Sequence, residues 1–305
     1  MGHPPESPPE VMEPIPFARW RTDPGGFADA LGQSLVETGF AVVEGHPLPD
    51  ALVGRVERVA QAFFALPTPS KLALVPRGSN QGGYTPLGRE SAKGEIRPDA
   101  KEFWHTRREG TPRVAAVPDF DASTAQLFGA MEQFGHTLLE AVALFLGLER
   151  SHFAPLVRGG SSVLRLLRYP PVADAPPGAV MRAGAHEDIN TLTLLLGTQE
   201  AGLQIQTRAG AWLDVNPEPG AVVVNVGDML QRYTGGLLPS TTHRVRNPAP
   251  GRAAHARYSL PFFLHFRGDV ELRVPPSLRA RGGRQGEVVT AGDYLAERLR
   301  EIGLA

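Results

Sequence analysis

From Gly159 onward the chain breaks into short β-type runs separated by Gly and Pro: Ser162 to Tyr169, Thr191 to Leu196, Leu203 to Thr207, Val222 to Asn225, Met229 to Tyr233, His243 to Arg246 and Tyr258 to Leu264. Many short strands with turn signals between them predict a β-sandwich or a closed jelly roll. The chain before Gly159 has a different texture. Phe27, Leu31 and Leu35 recur at helical spacing and stop at Gly39, Phe40 to Val43 reads as a buried strand, and Asp50 caps a second helix that ends near Pro67. Gly78 to Arg113, rich in Gly, Arg and Lys, reads as a loop region covering a site. Leu127, Met131, Phe134, Leu138, Val142 and Phe145 then form the stripe of a long helix over Ser123 to Leu146, suited to backing a sheet. Ala291 to Ile302 reads as a terminal amphipathic helix. The expected fold class is mainly β with flanking helices. Its parts are a flexible Pro-rich tail over 1–14, an α/β region over 15–158, and a jelly-roll domain with a C-terminal helix over 159–305.

Composition narrows the partners. Thirty-one basic against thirty-two acidic residues leave a formal charge of -1, so no global field favours nucleic acid or an anionic membrane. No stretch reaches about eighteen consecutive apolar residues, and Met1 to Pro14 has neither a basic start nor an apolar core, so neither a membrane span nor a signal peptide is expected. Cysteine is absent, which removes disulfides and thiolate ligands and leaves histidine and carboxylate to hold any metal. That usage fits a reducing cytoplasm. The expected partner is a small molecule; the sequence specifies no oligomeric state.

The chemistry concentrates in His186-Glu187-Asp188 and His243. On extended backbone alternate side chains share a side, so His186 and Asp188 point together while Glu187 points away. Two imidazoles and one carboxylate can occupy one face of an octahedral ferrous ion, leaving three adjacent positions for an oxidisable co-substrate and O2. A zinc hydrolase could use the same three ligands with an open site, but it gives no reason for Arg257 and Ser259 to share a strand face. Those two lie two apart on one predicted strand, where a planar fork of donors and a hydroxyl make a carboxylate clamp. In Ser162 to Tyr169 the same alternation puts Val163, Arg165, Leu167 and Tyr169 on one face. Inside a barrel the Tyr169 phenol needs a polar partner and Arg165 a counter-ion. Of the other histidines only His265 is expected near the site.

These residues resemble the isopenicillin N synthase-like family of Fe(II)/2-oxoglutarate-dependent dioxygenases, in its bacterial-type form, from about Pro14 to the carboxyl terminus. Glu37-Thr38-Gly39-Phe40 and Phe63-Phe64-Ala65-Leu66-Pro67 are similar to its amino-terminal region. Leu166 to Pro170, Gly184 to Asp188, Pro219 to Asp228, Ser240 to Pro248 and Arg257-Tyr258-Ser259 are similar to its catalytic core. The resemblance implies a double-stranded β-helix, His186, Asp188 and His243 as iron ligands, and Arg257, Ser259 and Tyr169 as the residues holding 2-oxoglutarate. It implies Fe(II), 2-oxoglutarate and O2 as the reacting set, with oxidation of a small organic substrate and release of succinate and CO2. Phe263 matches a position that often faces the substrate; Arg165, Arg89, Phe103 and Trp104 are further expected pocket residues, and two arginines would suit an acidic substrate. Leu167 stands where many plant members have asparagine, Arg168 replaces a common aromatic at the pocket edge, and the segment from His243 to Arg257 is longer. A 2-oxoglutarate-independent iron oxidase of the same fold and a catalytically silent binding module remain the alternatives at this level.

Overall fold

The computed structural model of the protein describes residues 12–76, 82–90, 99–174, 182–196, 202–247, 251 and 253–304. A two-residue strand β1 (Ile15–Pro16) leads through helices α1 (Arg19–Thr22) and α2 (Pro24–Thr38) to strand β2 (Phe40–Glu44), then helices α3 (Asp50–Phe64) and α4 (Thr68–Leu72). Strands β3 (Gly83–Thr85) and β4 (Glu102–Thr106), the long helix α5 (Phe120–Phe145) and the single turn α6 (Ala154–Val157) complete the first half. The second half runs β5 (Val163–Tyr169), β6 (Ala183–His186), β7 (Leu192–Leu196), β8 (Leu203–Gln206), β9 (Trp212–Asp214), β10 (Val222–Val226), helix α7 (Asp228–Thr234), β11 (His243–Val245), β12 (Arg257–Ser259) and β13 (Pro261–Leu264). Helices α8 (Pro276–Ala280) and α9 (Ala291–Glu301) follow.

The strands form two sheets. The larger has the order β1-β2-β10-β7-β13-β5-β4-β3 with β12 also on β5, and the smaller has the order β6-β11-β8-β9. Apart from β1 with β2, the pairs are antiparallel. Phe40, Val42 and Val223 of the large sheet meet Leu203, Ile205 and Val215 from the small-sheet side in one buried cluster. Helix α5 backs the other face, and it lies so close that a Cβ on its Gly135 would be 3.0 Å from Leu264. The result is a jelly roll of the double-stranded β-helix kind with helices on one side, as the family resemblance implies and as one of the two folds that the strand texture allows.

Local chemistry explains several boundaries. Helix α2 starts where the Asp23 side chain accepts from the Gly26 amide at 2.9 Å, with Pro24 at its first position, and ends at Gly39, which is left-handed (φ 75). Gly39 has a second duty, because a Cβ there would lie 2.3 Å from Thr241 Oγ1 in the segment that leads to His243.

Three expectations are corrected. Met229 to Tyr233 is helix α7, not strand: Met229, Leu230, Tyr233 and Thr234 are its buried positions, a spacing of one and four, and Gly235 terminates it at φ 66. A five-residue apolar window fits either period, and the Gly on each side marks helix ends here. Residues 78–113 are not merely a covering loop, since their described part contains β3 and the fully buried β4. Their charges are neutralised inside: Glu102, 1% exposed, accepts from Lys71 Nζ at 2.8 Å, Arg168 Nη1 at 2.5 Å and the Tyr84 hydroxyl at 2.5 Å. Tyr258 to Leu264 is two strands, because β5 pairs with β12 through Leu167 to Tyr169 and with β13 through Val163 and Leu164. Residues 1–11 of the expected tail and Pro248 and Pro250 of the expected hairpin lie outside the described residues. Among the described residues no helix is long and apolar enough to cross a membrane.

Candidate metal and co-substrate site

His186 ends β6 and His243 begins β11, and the antiparallel register sets them directly opposite each other. Their ring centroids are 4.4 Å apart. Asp188 follows β6 after one intervening residue, and its Oδ1 lies 3.8 Å from Nε2 of each histidine. The three ligand atoms lie within 4.8 Å of one another. Glu187 turns outward to Thr242, so the alternation argument separates the two acids as expected.

Both imidazoles are oriented from behind. Nδ1 of His186 donates to the Gly184 carbonyl at 2.8 Å and Nδ1 of His243 to the Thr241 carbonyl at 3.1 Å. A carbonyl only accepts, so Nδ1 carries the proton and Nε2 presents its lone pair toward Asp188. Burial and the neighbouring His243 hold the His186 imidazole below its ordinary range, which favours the neutral ligand form. Asp188 Oδ2 accepts from Thr193 Oγ1 at 2.5 Å and from Asn225 Nδ2 at 2.9 Å, leaving Oδ1 for the histidine side. Burial alone would raise this carboxyl, but the two histidines and those two hydrogen bonds bring it below the usual carboxylate range. The turn carrying it is tied down where the Asp228 amide donates to the Asp188 carbonyl at 2.7 Å.

The three residues wall an open cavity of about 640 Å³ that also takes in Tyr169, Arg257 and Ser259. Arg257 and Ser259 are alternate residues of β12, both buried, opposite Tyr169 and Leu167 of β5. The Arg257 guanidinium lies 5.6 Å from the Tyr169 ring centroid. Burial raises the Tyr169 hydroxyl above its ordinary range, so it stays a hydrogen-bond donor. Arg165 and Phe263 line the same cavity. Arg165 Nε donates to His105 Nε2 at 2.8 Å and its Nη1 lies 3.2 Å from Glu90 Oε2, the counter-ion that an inward arginine requires.

The other expected pocket residues lie elsewhere. Phe103 does not line the cavity but sits behind Arg165, whose Cζ is 4.0 Å from its ring centroid. Trp104 is a correction: it points to the opposite face of β4, fully buried between Phe63 and Phe120 at 5.0 and 5.2 Å. Adjacent residues on a strand diverge, so only one of Phe103 and Trp104 can face the cavity side. Arg89 is also corrected, being exposed and outside the cavity lining. Arg168 leaves the pocket edge for Glu102 on the helix side. His265 is buried, with Nδ1 on the Phe263 carbonyl at 3.2 Å, and does not line the cavity.

The donor set fits a divalent ion. Two bare Nε2 atoms and one carboxylate oxygen converge at a cavity wall, each fixed by a partner behind it, and the cavity side stays open for further ligands.

Known proteins agree with this geometry. Residues 160–266 match the model of the 2OG-Fe(II) oxygenase superfamily, and residues 15–134 match that of the non-haem dioxygenase in morphine synthesis N-terminal region. The 2-oxoglutarate-Fe(II) type oxidoreductase hxnY of Emericella nidulans is 33% identical over 294 residues, covering 88% of this chain and 82% of that protein. The chain belongs to the 2OG-Fe(II) oxygenase superfamily. A putative 2OG-Fe(II) oxygenase family protein from Caulobacter crescentus superposes on this oxygenase with a TM-score of 0.86 at 42% identity, over 95% of this chain and 98% of that one. A full-length Neurospora crassa protein, solved in complex with alpha-KG and thymine, gives 0.84 at 26% identity over 95% and 96% of the two chains.

Sequence reasoning missed part of the oxygenase's site. Lys101 lines the cavity although its segment read as loop. Thr193 and Asn225, which brace Asp188, read only as strand residues. Asn225-Val226-Gly227-Asp228 carried a usable signal, a polar residue at the inner end of an apolar strand followed by Gly and a helix-starting acid.

Proposed function

We propose that His186, Asp188 and His243 hold Fe(II) and that Arg257, Ser259 and Tyr169 hold the distal carboxylate of 2-oxoglutarate. The oxygenase then couples decarboxylation of that co-substrate to oxidation of a small organic molecule. The observation that carries this reading is the convergence of the three ligand atoms on a cavity whose wall also presents Arg257, Ser259 and Tyr169. When bound, the ion and 2-oxoglutarate supply O2 activation, with succinate and CO2 as products. The chain's own part is placement. Arg257 offers a fork of donors and a positive charge, Ser259 and Tyr169 add hydroxyl donors, and together they fix the far end of a dicarboxylate. Thr193 and Asn225 keep one Asp188 oxygen turned away from the ion, and the apolar wall of Phe40, Leu195, Leu203 and Val245 limits water. In this reading residues 15–158 extend and back the sheet of the 159–305 jelly roll. A reducing cytoplasmic location belongs to the same proposal, supported by a cysteine-free chain that works with ferrous iron.

Anaerobic addition of 2-oxoglutarate to the Fe(II)-loaded protein tests it. A visible charge-transfer band and, on admitting O2, release of succinate are expected, and Asp188→Ala should lose both. Iron-dependent O2 uptake without band or succinate would point to a 2-oxoglutarate-independent oxidase.

A further inference from the structure

The cavity face of the large sheet continues past the lining residues, and an arginine stands on it there. On β4 and β5 the odd-numbered residues face the cavity side, where Arg165 meets His105, and the even-numbered ones face the helices, where Arg168 meets Glu102. Arg107 and Arg108, the two residues after β4, keep that alternation. Arg108 goes to the helix side, with Nη2 2.5 Å from Glu132 of α5 and Cζ 5.9 Å from the Phe128 ring centroid. Arg107 goes to the cavity side, where its charge acts on His265.

Register places it further. Thr106 pairs with Leu164, so Arg107 comes level with Val163; Val163 pairs with Phe263, and Phe263 with Thr193, which holds Asp188 Oδ2. Arg107 thus stands in the same row across the sheet as Phe263, two strand spacings or about 10 Å from its backbone. Along β12 and β13, Arg257 and Ser259 precede Phe263 and His265 follows it. Arg107 and His265 therefore lie just outside the lining, at the Phe263 end of the cavity and away from the carboxylate clamp.

Inside the cavity, two lining cations have acids against them. Arg165 Nη1 lies 3.2 Å from Glu90 Oε2, and Lys101 Nζ lies 3.0 Å from Glu90 Oε1 and 2.8 Å from Asp99 Oδ2. Arg107 differs. Its amide donates to Thr111 Oγ1 at 3.0 Å, but its partly buried side chain makes no hydrogen bond or ion pair among the described residues. Burial, with Arg107 adding to it, brings His265 down to about 4, so this imidazole is neutral and neither pairs with Arg107 nor competes for an anion. A partly buried guanidinium with no acid beside it has lost hydration that nothing in the chain replaces, and an anion supplies the missing partner.

Resting on the function proposed above, we propose that Arg107 is a substrate-recognition residue and that the substrate is a small anion. Its carboxylate or phosphate oxygens accept from the Arg107 guanidinium, and its body lies along Phe263 toward the ion. This anion is distinct from the distal carboxylate of 2-oxoglutarate, which the clamp holds at the other end.

The test uses the Fe(II)-loaded protein with 2-oxoglutarate under anaerobic conditions and reads perturbation of the charge-transfer band. The probes are benzoate, phenyl phosphate and benzamide, with nicotinate and nicotinamide as a second set. An anion should bind about tenfold tighter than the matching amide, and the tighter of benzoate and phenyl phosphate identifies the group. Arg107→Met should remove that preference and Arg107→Lys should restore part of it. In both variants 2-oxoglutarate should bind within about twofold of the parent, which also shows that they fold. Arg107→Gln carries the test if the methionine variant gives no band. Amides binding as tightly as anions, a preference that survives loss of the guanidinium, or no response to any probe would overturn the inference. So would an equal loss of 2-oxoglutarate affinity, which would place Arg107 with the clamp. Absence of the band in the parent before any probe is added would instead overturn the function itself, and the inference with it.

Discussion

The two oxygens of Asp188 are given different surroundings. Oδ2 is occupied by Thr193 and Asn225, so in the proposed metal site Oδ1 would be the oxygen left to the ion. Asn225→Leu is expected to lower affinity for a divalent ion by about 10–100-fold, in the range found when a bracing partner is removed. Competition against a chelator, under anaerobic conditions for iron, measures it; unchanged affinity with lower turnover would assign Asn225 some other role. Gly227 sets the same turn by a different means. A Cβ there would lie 2.2 Å from the Asn190 carbonyl oxygen, a backbone atom that cannot rotate away, while the Gly227 amide donates to the Thr191 carbonyl at 3.1 Å. Gly227→Ala should cost about 1–3 kcal/mol of stability in urea unfolding of the metal-free protein, the usual effect of overfilling a packed site. It should also weaken metal binding, because the displaced backbone is that of the ligand turn. A variant destabilised with metal affinity intact would separate the turn from the ligand.

At the scale of elements, strand β5 is the clearest case of what sequence can reveal. Its alternation correctly puts Arg165, Leu167 and Tyr169 toward the cavity, because a period of two needs only the strand's existence and phase. Its neighbour β4 was illegible for the opposite reason. A segment containing Lys101 and Glu102 carries a solvent-like composition, and its burial depends on partners distant in sequence: Glu102 meets Lys71 thirty-one residues earlier and Arg168 sixty-six later. No local pattern encodes that. Helix α7 was misread because five residues span little more than one helical turn, where the two periods overlap. The Glu102 cluster joins α4, β3, β4 and β5, so removing its carboxylate strands two cations in the interior. Glu102→Ala should destabilise by about 3–5 kcal/mol, read as a lower urea midpoint with an unchanged slope. A loss below about 1 kcal/mol would mean that water reaches Lys71 and Arg168.

For the molecule as a whole, a sandwich or jelly roll was legible because its punctuation repeats across half the chain, and the convergence of His186, Asp188 and His243 because they are rare types at strand ends. Which charges cancel was not, since pairing between Glu90, Lys101 and Arg165 is a property of the closed sheet. That pairing has a consequence for acid stability. Buried beside two cations, Glu90 falls from an ordinary 4.5 to about 2, against the opposing effect of burial itself. A carboxyl with a depressed folded value contributes stability that is fully present above the unfolded value and disappears as pH falls through the folded one. The contribution is therefore complete above about pH 4.5 and lost toward about pH 2. Glu90→Gln mimics the protonated group at every pH. The metal-free variant should be less stable than the parent near neutral pH, and the gap should narrow as both are taken to about pH 3. Urea unfolding at the two pH values measures the gap directly. If it stays constant, the Glu90 carboxylate is not held ionised by its neighbours, and its pairing with Lys101 and Arg165 must be drawn again.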